Sequence, residues 1–175
     1  MKTESNLEQQ VERLQRVTQE LLRKYQMRDR NEISCCGVTV SQCYALDALS
    51  ENGELTMVQL AKHLFLDKST ATRVIDPLVQ RGLVERQSSS RDRREIIVRL
   101  TATGAKLQQR IRAELHTSQR QIMERLPVDK REQILESLEL LSLAVHDWLA
   151  TCCCPEKVEQ PLNLQRLNPK GRNHA

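Results

Sequence analysis

A chain of 175 residues, 39% of them hydrophobic, has material for one core-bearing domain, or one compact unit with an appendage. With only one Phe, one Trp, two Tyr, five Gly and five Pro, that core is expected to be Leu, Val and Ile carried on helices. The net charge is +4, but residues 56–100 hold 9 Lys and Arg against 5 Asp and Glu, while the rest of the chain holds 18 of each; all the excess positive charge falls in one segment.

A local basic surplus of this kind points toward a polyanionic partner such as nucleic acid. No apolar run approaches the roughly 20 residues needed to span a bilayer. The opening MKTESNLEQQ has no apolar signal-peptide core. A cytoplasmic setting is expected, where thiols stay reduced, and a disulfide framework is the least expected use of the six cysteines.

The first predicted element is a helix of about five turns, striped by Leu7, Val11, Leu14, Val17, Leu21, Leu22 and Tyr25. ISCCGVTVSQC follows, with Cys35, Cys36 and Cys43 within nine positions. Thr39 can cap a helix running to about Ser50, closed by a turn at ENGEL. Thr56 can cap a short helix with Val58, Leu60, Ala61 and Leu64 facing inward. Asp67 can cap KSTATRVIDPLVQR, which Gly82 would close and which Pro77 should kink or strain. LVERQ and IIVRL are predicted as two strands joined by SSSRDRRE. Two amphipathic helices then carry Leu107, Ile111, Leu115, Ile122 and Leu126, and Ile134, Leu135, Leu138, Leu141, Val145, Trp148 and Leu149. Between them PVDKRE supplies a start signal with Asp129 in its first turn. Pro155, Pro161, Pro169 and Gly171 interrupt any period after Cys154, so residues 155–175 are expected to form a disordered tail.

Two short helices joined by a tight turn and followed by a β-hairpin make a winged helix-turn-helix. In its second helix Ala71, Val74, Ile75 and Leu78 share one face, and Lys68, Ser69, Thr72, Arg73, Asp76 and Gln80 the other. Arg can engage guanine with two hydrogen bonds, Ser and Thr can meet bases or phosphates, and a helix N-terminus favours phosphate. An ordinary solvated face would look much the same in isolation. The hairpin loop adds Arg91, Arg93 and Arg94 around Asp92, the composition of a tip that enters the minor groove. A basic wing directly after a basic helix is far more specific than either part.

The segments DKSTATRVIDPLVQRGLVER, RDRR and VRLTATGAKL resemble the MarR family of bacterial transcriptional regulators, over roughly residues 7–150. The fold expected is mainly α with a small β-hairpin wing: a winged helix-turn-helix at 39–100, a helical dimerisation region made of 1–38 and 101–154, and the tail. The resemblance implies a homodimer in which the first and the last two helices pack on their partner copies, straddling a pseudo-palindromic operator in double-stranded DNA. Half-sites would lie roughly 10 bp apart. By position, Lys68, Ser69, Thr70, Thr72 and Arg73 would lie on the major groove, and Arg91, Arg93 and Arg94 would serve the wing. Repression is the family's more frequent habit. Relatives commonly bind effectors at the junction of the two regions, close to the cysteine-rich segment; that segment and the CCCP end depart from many relatives.

The candidate thiol ligands are Cys35, Cys36, Cys43, Cys152, Cys153 and Cys154. Soft thiolates select Zn, Cu(I), Hg, Cd or a trivalent metalloid. Adjacent cysteines on a helix point about 100° apart, so two or three thiolates are easier to gather than six. Three suit As(III) or Sb(III), whereas zinc would want a fourth ligand, and no C-x-x-C pair is present. Cys43, one turn from Leu46, reads as a core residue whatever else it does. The expectation is therefore a regulator that needs no cofactor and releases DNA when a thiophilic metal or metalloid such as As(III) or Sb(III) binds. Thiol oxidation or a small aromatic ligand would act on the same scaffold. A winged-helix adaptor between proteins would show no steep salt dependence with duplex DNA. Catalysis is not expected: His63, His116, His146 and His174 stand apart from the cysteines in sequence, and no catalytic motif is present.

Overall fold

The computed structural model describes residues 2–34, 36–88 and 95–151. Of the sequence candidates, Cys35, Arg91, Arg93, Arg94, Cys152, Cys153 and Cys154 lie outside the described residues, as does the predicted tail. Among the described residues six helices and three strands follow in order: α1 (Lys2–Ser34), α2 (Val40–Asn52), β1 (Leu55–Thr56), α3 (Met57–His63), α4 (Lys68–Gln80), β2 (Val84–Ser88), β3 (Ile96–Leu100), α5 (Ala102–Glu124) and, after a 3-10 turn at Val128–Lys130, α6 (Arg131–Thr151). The chain divides into two units, residues 1–119 and 120–175.

Local chemistry accounts for the boundaries of the first unit. Thr39 and Thr56 each open a helix with a capping box. The Gln42 and Gln59 backbone N–H groups donate to the two threonine hydroxyls at 3.2 Å, and the glutamine side chains accept from the threonine backbone N–H groups in return. Helix α4 ends in a Schellman arrangement: the Gly82 N–H donates to the Val79 carbonyl and the Leu83 N–H to that of Leu78, both at 2.9 Å. Gly82 takes φ +67°, a left-handed turn that glycine enters without steric cost. The helix runs through Pro77 as one element, at the expense of the bond its missing N–H would have made to the Arg73 carbonyl.

The sheet has the order β1-β3-β2, antiparallel throughout, with Leu55 opposite Val98 and Arg86 also opposite Val98 from the other side. The hairpin was legible in the sequence, but its third strand was not. Two residues are too few to show a period of two, and Leu55 and Thr56 join the sheet only because β3 offers them an edge. Around it Ile33, Leu46, Leu49, Leu60, Ile75, Leu78, Val84, Val98 and Ile111 form the largest fully buried side chains.

One expectation is overturned within α3. Leu60 and Ala61 are buried and Leu64 is partly so, but Val58 is 51% exposed, and Met57 takes the inward place. With Thr56 as cap the helix begins at Met57, so the inward stripe runs 57, 60, 61, 64 and leaves position 58 roughly 100° away. Helix α1 is longer than its stripe suggested, 33 residues. Its Leu7, Leu14 and Val17 remain exposed; so do Leu138, Val145 and Trp148 of α6, of which no described residue is buried.

Candidate nucleic-acid interface

Helix α4 turns Ala71, Ile75 and Leu78 into the core, with Val74 packed partly against it, and leaves Lys68, Ser69 and Arg73 exposed and Thr70 and Thr72 half-buried on its outer side. The helix start is organised by Asp67. Its carboxylate accepts from the Ser69 hydroxyl, from the Thr70 hydroxyl at 2.7 Å and from the Thr70 backbone N–H at 2.9 Å. These bonds, the Ser69 hydroxyl first, hold the Asp67 carboxyl far below the usual carboxylate range. The Thr72 hydroxyl donates to the Lys68 carbonyl at 2.8 Å. Ser69, Thr70 and Thr72 therefore have their hydroxyl protons engaged within the helix and can offer DNA chiefly their acceptor lone pairs. An ionised carboxylate also sits where a phosphate would otherwise meet the helix N-terminus. Lys68 and Arg73 are the exposed cations that α4 presents.

Other positive charges of the basic segment are used internally. Arg86 of β2 reaches Asp76 of α4 at 2.7 Å and joins the wing to the helix. Neither its Nε nor its Nη2 has an acceptor aligned with its N–H among the described residues, so the pair is held by charge rather than by well-directed hydrogen bonds. Arg99 of β3 donates to Glu85 at 2.6 Å and to Glu54 at 3.0 Å, which raises its pKa above the ordinary arginine value. The surplus of 56–100 thus overstates the charge free to meet a phosphate. Lys68, Thr72 and Arg86 line a cleft of about 170 Å³ together with Val58, Glu95 and Ile96.

The described cysteines lie away from that cleft, against the helices. The Cys36 thiol, 7% exposed, lies 3.7 Å from Glu114 of α5, to which it can donate. The Cys43 thiol is 1% exposed and lies 3.8 Å from Asp47. Burial, with the Asp47 charge behind it, pushes the Cys43 pKa up to about 12. Among the described residues no group of three or more His, Cys, Asp or Glu is arranged to hold a metal ion. The turn after α1 has a direct mechanical link to α4: an Arg81 guanidinium N–H donates to the Gly37 carbonyl across a sequence separation of 44. Sequence reasoning missed both Arg81 and the Arg86–Asp76 pair, because neither has a partner within one helical turn.

Comparison with known proteins agrees with this geometry. A family model described as MarR family matches residues 37–95. The chain is 34% identical over 124 residues to an HTH-type transcriptional regulator of Mycobacterium tuberculosis, covering 70% of this chain and 83% of that protein. To the multiple antibiotic resistance protein MarR of Salmonella typhimurium it is 31% identical over 105 residues, covering 60% of this chain and 73% of the relative. Among solved structures, wild-type apo MarR from E. coli is similar with a TM-score of 0.67 at 25% identity, covering 73% of this chain and 95% of that one.

Proposed function

This chain belongs to the MarR family of DNA-binding transcriptional regulators, and we propose that it acts as a homodimeric repressor on a pseudo-palindromic operator. Lys68 and Arg73 meet the major groove, and Arg91, Arg93 and Arg94 serve the wing. The operator is released when a thiophilic metal or metalloid, such as As(III) or Sb(III), engages cysteine thiolates centred on Cys35 and Cys36, with Cys152, Cys153 and Cys154 as the further candidates. Cys43 comes last in this set, since a buried thiol with its pKa at about 12 gives up its proton reluctantly.

The observation that carries this reading is the hydrogen bond from Arg81 to the Gly37 carbonyl. It joins the residue next to Cys36 to the C-terminal end of the recognition helix. Metal uptake at the turn would displace the Cys36 thiol proton, now shared with Glu114, and shift the Gly37 carbonyl. Arg81 would carry that shift into α4. Its effect on DNA binding equals the difference in effector affinity between the two arrangements.

The test is operator binding by the reduced protein, titrated separately with As(III), Sb(III), Zn(II), Cd(II), Hg(II) and peroxide. Release by As(III) or Sb(III) should vanish when Cys35 and Cys36 are changed to Ser. Arg81→Ala should leave metalloid binding intact but blunt the release. Release by peroxide alone would replace the metalloid by thiol oxidation, and indifference to every agent would remove the cysteines from regulation.

A further inference from the structure

The cleft between α3, α4 and the base of the wing has a composition that base reading does not require. Its lining includes Val58 and Ile96, exposed at 51% and 47%, two β-branched apolar side chains left in water beside Lys68 and Thr72. Neither is buried in the core, to which Met57, next to Val58, and Val98, two positions after Ile96, contribute instead. Exposed apolar side chains in a cleft beside a cation suit a partner with an apolar body and an anionic edge. Arg86 adds buried donors, Nε and Nη2, that have no aligned acceptor among the described residues.

We propose that this cleft seats one deoxyribose of the operator backbone, with Val58 and Ile96 packing on the sugar and Lys68 on the adjoining phosphate. The inference rests on the chain's being a DNA-binding regulator and adds a sequence-independent anchor to it. The occupant follows from continuity, because Lys68 and Thr72 belong both to the cleft and to the outer side of α4. It follows also from the placement of charge: Arg86 is paired with Asp76, Lys68 presents an exposed ammonium at the cleft, and the exposed carboxylate of Glu95 turns the phosphate toward the lysine side. A deoxyribose offers the C–H surface that two branched aliphatic side chains can cover, and every nucleotide has one.

Sugar packing and phosphate pairing leave different signatures in salt. Apolar contacts release no counterions, so Val58→Ala and Ile96→Thr should each weaken duplex binding about three- to tenfold at every salt concentration, with the slope unchanged. Lys68→Ala should instead lower the magnitude of the slope by about one unit. Because both apolar residues are exposed, the melting temperatures of their variants should match that of the unaltered protein. The loss should be equal on operator and random duplex, and equal when uracil replaces thymine. Undiminished binding by both variants overturns the proposal. A loss that disappears in uracil duplexes also overturns it, by giving the cleft to a thymine methyl. If the unaltered protein shows no salt-dependent duplex binding, the DNA-binding reading fails and takes this one with it.

Discussion

Gly104 illustrates how a single side chain can be dictated by a distant backbone. It lies in the first turn of α5, its N–H donates to the Thr101 hydroxyl at 3.0 Å, and a Cβ added there would collide with the Leu83 carbonyl. The obstacle is backbone inside a packed turn, so it cannot swing aside. Gly104→Ala should lower unfolding stability by about 1–3 kcal/mol, read from urea melts. Cys43 makes a second residue-scale prediction. Its folded pKa of about 12 stands above the ordinary 9.0, so its contribution to stability is complete below pH 9 and is lost as pH rises toward 12. The unfolded chain releases the proton first in that window. Stability should therefore fall there by up to about 1.4 kcal/mol per pH unit from this group, a slope that Cys43→Ala should reduce. The same burial predicts that a thiol reagent labels Cys43 slowly in the native state.

Among the elements, the relation of α4 to the wing matters most. The helix is positioned from three directions: Ala71, Ile75 and Leu78 sink into the core, Arg81 holds the Gly37 carbonyl, and Asp76 pairs with Arg86 of β2. The Asp76–Arg86 pair is partly exposed, 45% and 29% by side chain, so its contribution to stability is screened and should be under about 1 kcal/mol. Its value is geometric, because it sets the wing relative to the helix. Arg86→Ala should shift the melting temperature little while weakening operator binding severalfold; a mobility-shift titration beside a thermal melt separates the two. Equal binding with and without the pair would mean that the sheet alone orients the wing. The caps at Thr39, Thr56 and Asp67 could be read from the sequence because each concerns residues within three positions of one another. The Arg99 pairs with Glu85 and Glu54 could not, since they connect positions 14 and 45 apart.

At the scale of the whole molecule, the unfinished surfaces are apolar. Leu7, Val11, Leu14, Val17, Leu21 and Leu22 remain exposed along α1, and Leu138, Val145, Trp148 and Leu149 along α6. None of the helices among the described residues is long and apolar enough to cross a membrane. Stripes of this length in water match the proposed homodimer, whose second copy would cover them. Leu14→Lys combined with Val17→Lys should shift the protein toward monomer in sedimentation equilibrium and weaken operator binding at least tenfold, with the winged-helix core intact by circular dichroism. A dimer that survives both changes would move the interface elsewhere.

Helix starts, the Gly82 stop, the hairpin strands, the apolar face of α4 and the basic character of its outer side were determined by the sequence alone. Each depends on residues a few positions apart, where periodicity and capping chemistry are decisive. The tertiary structure decided what each charged or apolar residue is left free to do. Asp67 ties up the hydroxyl protons of Ser69 and Thr70, Arg86 and Arg99 spend their charge inside the fold, and Val58 faces out because Met57 has taken its place in the core. Those outcomes depend on which segments meet across the fold, and burial and pairing between distant segments leave no periodic trace along the chain.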